Sequence, residues 1–234
     1  MSHFTTVLEE IESLDPESDY ERIVQLSSGV DFPSDTAKAL EFALFRTFCV
    51  PSIAERLNRP SPAGLAVQER YEYTGALVSE IVANGTRSER GRAALERLQK
   101  IRARHPIPDR DWVFVLSTMI CEPIRWNARF GWRRLSGKEQ LALFFLWRAV
   151  GKALLLAQLP DSLAECDRFN RDYERDHARA PRPVPHVCES AGAMAPGSLR
   201  VCVENALRLR GRIATRLIRP ARSMVRVLPR LAVT

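Results

Sequence analysis

At 234 residues the chain suits one large domain, or a domain with a tail, and is long enough to bury a sizeable core. Its composition of 45% hydrophobic and 27% charged residues belongs to a globular protein and excludes a disordered chain as the leading class. The net charge of +7 is a property of one end: from Leu199 to Thr234 there are nine Arg against Glu204 alone, a charge of +8, so the rest of the chain sums to −1.

Residues 1–31 hold eight acids and one base, Arg22, so the chain is polarised end from end. That asymmetry predicts either an anionic partner for the basic end or an acidic N-terminal helix docked on a basic C-terminal one. The opening MSHFTTVLEEIESLDPESD has no basic and apolar leader pattern, and the five Cys form no CxxC pair. Both point to a cytoplasmic, reducing setting. The one apolar stretch of spanning length, Leu141 to Leu159, contains Arg148 and Lys152, each costing about 3 kcal/mol at a bilayer centre, which predicts a core helix.

In chain order, residues 36–49 place Ala37, Leu40, Leu44 and Phe48 on one helical face, with Asp35 as N-cap and Pro51 as stop. A helix over 65–83 ends at Asn84-Gly85, a pair suited to left-handed C-cap geometry. Ser88 caps the next, whose face of Ala94, Leu98 and Ile101 runs until Pro106 and Pro108 break it. After Asp109 follows a helix carrying Trp112, Leu116, Met119 and Ile120, with Pro123 as a kink point. Ser136 and Glu139 form a capping box before the apolar run 141–157. Asp161 or Ser162 starts a polar helix to about Arg179. No run alternates like a strand between hairpin turns, so the expected fold is all-α. The expected organisation is a helical domain over 1–180, a Pro/Gly-rich loop over 181–198 and a basic helical segment over 199–234 packed on the domain.

Zinc spacing, the P-loop, the dinucleotide-binding glycines and the G-x-S-x-G elbow are all absent, which removes the common nucleotide and hydrolase classes. His105 lies between two helices, where an imidazole either caps a helix or enters an inter-helical cavity as an iron ligand. Arg70, Tyr73 and Thr74 share one helix face, where guanidinium and hydroxyl groups could polarise a small ligand or simply flank a core. Arg125, Trp126, Trp132, Arg133 and Arg148 interleave cations with aromatics. This pattern suits anion pairing, nucleic-acid stacking or plain core packing with polar edges.

Several of these stretches resemble the catalytic domain of the MpaB and rubber-oxygenase family. They are ALEFALFRTF before Cys49, CEPIRWNARFGWR, SGKEQLALFFLWRAVG and the Phe169-Asn170-x-x-Tyr173-Glu174 run. The resemblance implies a single multi-helix domain around a haem-sized apolar cavity, b-type haem, O₂, and oxidative cleavage of a C=C bond in an apolar isoprenoid-like substrate. Arg70, Tyr73 and Thr74 match the family's distal Arg-x-x-Lys-Thr segment, with Tyr73 in place of the lysine. Counted from Ile101 and Ile107, the ligand position falls on Arg102, which cannot bind iron because its guanidinium stays protonated. The Arg102-x-x-His105 spacing resembles that of latex-clearing proteins and gives His105 as the metal ligand. Arg125 would pair with a haem propionate. The alternative is a non-catalytic member acting as a helical binding protein for anionic lipid or nucleic acid, lipid being the favoured partner through the Arg-rich tail.

Overall fold

The computed structural model describes residues 3–47, 49–57, 67–104 and 107–178, with the backbone alone at 3–6, 56–57 and 67–72. His105, the side chain of Arg70, and the loop and basic tail expected beyond residue 180 lie outside the described residues. Within them the chain is helical and no strand occurs, as the periodicity predicts. The elements are α1 (His3–Ser13), α2 (Tyr20–Leu26), a π turn at Ser27–Asp31, α3 (Pro33–Thr47), α4 (Pro51–Leu57), α5 (Val67–Asn84), α6 (Glu89–Arg104), α7 (Asp109–Phe130), α8 (Gly137–Ala153) and α9 (Leu163–His177).

The long amphipathic α7 is the hub: α3, α8 and α9 pack along it, α2 lies on α8, and α5 pairs with α6. Their apolar faces meet in a core where Ile11, Ile23, Phe32, Leu77, Ile81, Phe114, Met119, Leu146 and Trp147 are almost fully buried. Burying side chains of this size contributes about 2 kcal/mol each before entropy is counted. No helix among the described residues is long and apolar enough to cross a membrane.

The boundaries follow local chemistry. Pro33 and Pro51 open α3 and α4 at the first helical position, where a missing N–H costs nothing. Asp35 is therefore not the N-cap of α3; it sits in the first turn and accepts a hydrogen bond from Trp126 Nε1 at 3.0 Å. The Ser136–Glu139 capping box forms as expected. The apolar run after it stops being helical at Ala153, short of 157, because Leu155 adopts a left-handed φ of 54°. Gly85, at φ 72°, ends α5 and lets the chain turn into α6. Gly91 then lies so close that a Cβ there would stand 1.8 Å from the Gly85 carbonyl oxygen. The Glu21 carboxylate of α2 accepts from Thr86 N, Thr86 Oγ1 and Arg87 N, which ties this turn to the N-terminal helices.

α1 docks on α2 and α8. Arg22 donates to Glu10 at 2.7 Å, and Lys138 donates to the Glu12 and Leu14 carbonyls. The acidic helix thus finds at least part of its partners inside the domain.

Candidate functional site

The helix contacts concentrate polar side chains where α3, α7 and α9 meet. Arg46, on α3, points between the other two helices and is bound by Glu122 of α7 and by both oxygens of Glu174 of α9. Arg125, one turn after Glu122, donates to Glu122 at 2.7 Å, to Asn170 at 2.8 Å and to Asp167 at 2.7 Å. Asn170 in turn donates to Ser117 Oγ at 2.9 Å. Glu122 retains 4% side-chain exposure, so its charge is sustained only by the two arginines that flank it.

Beside this lock, toward the start of α7, Tyr173 donates to Asp111 at 2.5 Å and Ser52 donates to the other Asp111 oxygen at 2.7 Å. Tyr173 is stacked between Phe114 and His177, with centroids at 4.5 and 4.2 Å. Burial, aided by the bond to anionic Asp111, pushes its phenol well above the ordinary tyrosine range. Cys121 and Cys166 are free thiols, hydrogen-bonded to each other across the α7–α9 contact, and that bond together with burial pushes Cys166 up.

A third cluster surrounds Arg133, which donates to both Glu139 oxygens and to Asp31, while Ser27 donates to Glu139 at 2.7 Å. A fourth is centred on Arg102. Its guanidinium donates to Asp109 and to the Leu154 carbonyl, and the second Asp109 oxygen accepts from Ala157 N at 3.0 Å. The Ala157 amide first, and Arg102 second, hold the Asp109 carboxyl below the usual carboxylate range.

The structure therefore separates the residues singled out in the sequence. Tyr73 lies on α5 with 44% of its surface exposed, and Thr74 beside it is partly buried. Arg102 is committed to Asp109 at the start of α7, and Arg125 lies near the end of α7, about 24 Å along the axis from Asp109. As placed, the two guanidiniums do not converge on one group.

Arg70 and His105, the other two expected walls of the site, lie outside the described residues. Of the described residues, neither Arg102 nor His177 fits the role of iron ligand. Arg102 is cationic and ion-paired, and His177 is an exposed ring on α9 with Nδ1 3.0 Å from its own helix's Tyr173 carbonyl. A cavity between α7, α8 and α9, lined by Val113, Leu116, Ile120, Phe144, Trp147 and Cys166 among others, has a volume of about 20 Å³. It holds one water-sized molecule and no porphyrin.

The sequence did not reveal the lock itself. Glu122 and Arg125 are visibly spaced for an ion pair, but Arg46 reads only as one polar position of an amphipathic helix. The signal was present in another form: Arg46, Glu122, Arg125, Asn170 and Glu174 all fall in the long stretches that carry the family resemblance. Segments over a hundred residues apart thus meet in one buried polar cluster.

The family model described as "ER-bound oxygenase mpaB/B'/Rubber oxygenase, catalytic domain" matches residues 62–233, and the chain belongs to that family. It is 30% identical over 171 residues to a protein named ER-bound oxygenase mpaB from Penicillium roqueforti (strain FM164), which covers 65% of this chain and 57% of that protein. It is also 30% identical over 180 residues to ER-bound oxygenase mpaB and to ER-bound oxygenase mpaB' of Penicillium brevicompactum, covering 69% of this chain and 45% and 42% of those proteins. The chain spans about half the length of the curated relatives it matches.

Proposed function

We propose that this chain is a haem-dependent oxygenase domain that cleaves a C=C bond of an apolar isoprenoid-like substrate, with His105 as the axial ligand. The observation that carries the reading is the family match over residues 62–233. Haem, if held, would supply O₂ activation; the chain's own residues supply shape and fixed charges around it.

Arg102 favours His105 over the neighbouring ligand position. Its guanidinium is spent on Asp109 and the Leu154 carbonyl, which leaves it unable to serve as a ligand. Arg70, Tyr73 and Thr74 form the proposed distal group, with Arg70 and Thr74 polarising O₂ and Tyr73 offering a hydroxyl. Arg125 reaches a propionate only by exchanging one of its three present acceptors. The test is turnover of an oligoisoprenoid under labelled O₂: both oxygen atoms should appear in the two new carbonyl groups.

The same commitment of Arg102 favours a second reading if His105 does not bind iron: a non-catalytic helical member of the family. In either reading we place the protein in the cytoplasm, peripheral to membranes, with the Arg-rich tail on anionic lipid.

A further inference from the structure

Large apolar side chains are exposed at few places among the described residues, and three of them share one corner. Val30 in the π turn is 39% exposed, Phe130 at the end of α7 is 40% exposed and Trp132 in the α7–α8 turn is 58% exposed. Trp132 stacks on buried Phe32 at 5.7 Å, and its Nε1 donates to the Asp31 carbonyl at 3.3 Å. Val30, Asp31 and Phe32 therefore lie beside and beneath the indole.

This ring is held outward. Arg133 places its guanidinium 4.7 Å from the Phe32 ring and 5.3 Å from the Trp132 ring while bound to Asp31 and Glu139. Both carboxylates show no side-chain exposure and share that one arginine, so the buried trio keeps one net negative charge beneath the rings. Asp35, nearby, is engaged by Trp126 Nε1, and Phe130 packs on the Trp126 ring at 4.8 Å.

Two exposed cations, Arg129 and Arg134, flank the rings. Arg129 lies 5.3 Å over the Phe130 ring, Arg134 is exposed, and Lys138 at the start of α8 donates to the Glu12 and Leu14 carbonyls. Among the described residues no carboxylate forms an ion pair with any of the three.

We propose that this corner inserts Phe130, Trp132 and Val30 into the interface of an anionic bilayer, with Arg129 and Arg134 on the lipid headgroups. Aromatic rings at headgroup depth flanked by cations are the signature of interfacial binding. The indole N–H already has a protein acceptor, so insertion orphans no donor. A protein partner is disfavoured by size: two rings and a valine on a turn fall far short of the roughly 800 Å² per side that a stable interface buries. The site is distinct from the basic tail and independent of the haem reading.

The four Trp make the test direct, because Trp126 and Trp147 are 6% and 1% exposed and Trp112 packs against the core. The full chain is mixed with phosphatidylcholine vesicles containing phosphatidylserine and brominated acyl chains. Vesicle binding should shift the emission to the blue and quench it. Trp132→Phe, which keeps the apolar ring, should still bind but lose the quenching. A Phe130→Ala/Trp132→Ala variant should bind about tenfold more weakly, with its melting transition checked in parallel. Absence of binding, binding without quenching, or quenching that survives Trp132→Phe would overturn the proposal. So would a vesicle-free emission shift that grows with protein concentration, which would assign the corner to a second copy of the chain.

Discussion

Arg102, in the last turn of α6, donates to Asp109, the first residue of α7, and so ties the end of one helix to the start of the next. The same arginine reaches the Leu154 carbonyl at the end of α8, and Asp109 accepts from Ala157. A guanidinium where the family resemblance would put a ligand is here a structural tie between three elements.

Replacing Arg102 by Ala should therefore lower stability by about 1 kcal/mol, since hydrogen bonds to a charged group are lost at a partly exposed site. Denaturant unfolding measures this. An unchanged midpoint would mean that the clamp contributes nothing.

Asp109 also sets an acid limb. Its folded carboxyl titrates below the unfolded value of about 3.9, so the stability it contributes is present above that value and lost as the pH falls through the lower folded one. Melting temperatures of wild type and Asp109→Asn should differ at neutral pH and converge below about pH 4. A constant difference across that window would assign Asp109 no role in the acid transition.

The interhelical lock should be far more sensitive than the outer ion pairs. Glu122→Ala leaves two arginines without their shared buried partner and should cost about 3 kcal/mol or more, whereas Asp167→Ala, at a third-exposed pair, should cost less than about 1 kcal/mol. Comparable midpoints for the two variants would contradict the hierarchy.

Two backbone positions give opposite signs. Gly91→Ala drives a Cβ into the Gly85 carbonyl and should destabilise by about 3 kcal/mol, because backbone rather than a flexible side chain must move. Leu155→Gly relieves a left-handed φ of 54° at a side chain 82% exposed and should stabilise by about 1 kcal/mol. Thermal melts check both.

The helices were legible because their signals are local: the Ser136–Glu139 box, the Gly85 stop and the 3.6-residue apolar faces each act within one or two turns. Where a local signal had two meanings, it misled. Asp35 near the start of a helix resembles a cap, yet Pro33 had already opened the helix and left the carboxylate for Trp126. The apolar run to 157 reads as helix, but Leu155 takes a left-handed turn that no residue preference announces. The lock was hidden for a different reason. Arg46, Glu122 and Glu174 are far apart in sequence, and pairing of that kind is set by how α3, α7 and α9 pack. Arg125, expected to wait for a cofactor carboxylate, is held by Glu122, Asn170 and Asp167. The haem site expected around Arg70 and His105 remains a proposal because both side chains lie outside the described residues.

One absorption spectrum tests the central claim most directly. The full chain, expressed with added haem and purified, should be red with a Soret band, and His105→Ala should abolish or strongly shift that band while leaving the melting transition in place. A colourless wild type, or a Soret band that His105→Ala leaves unmoved, would contradict the account.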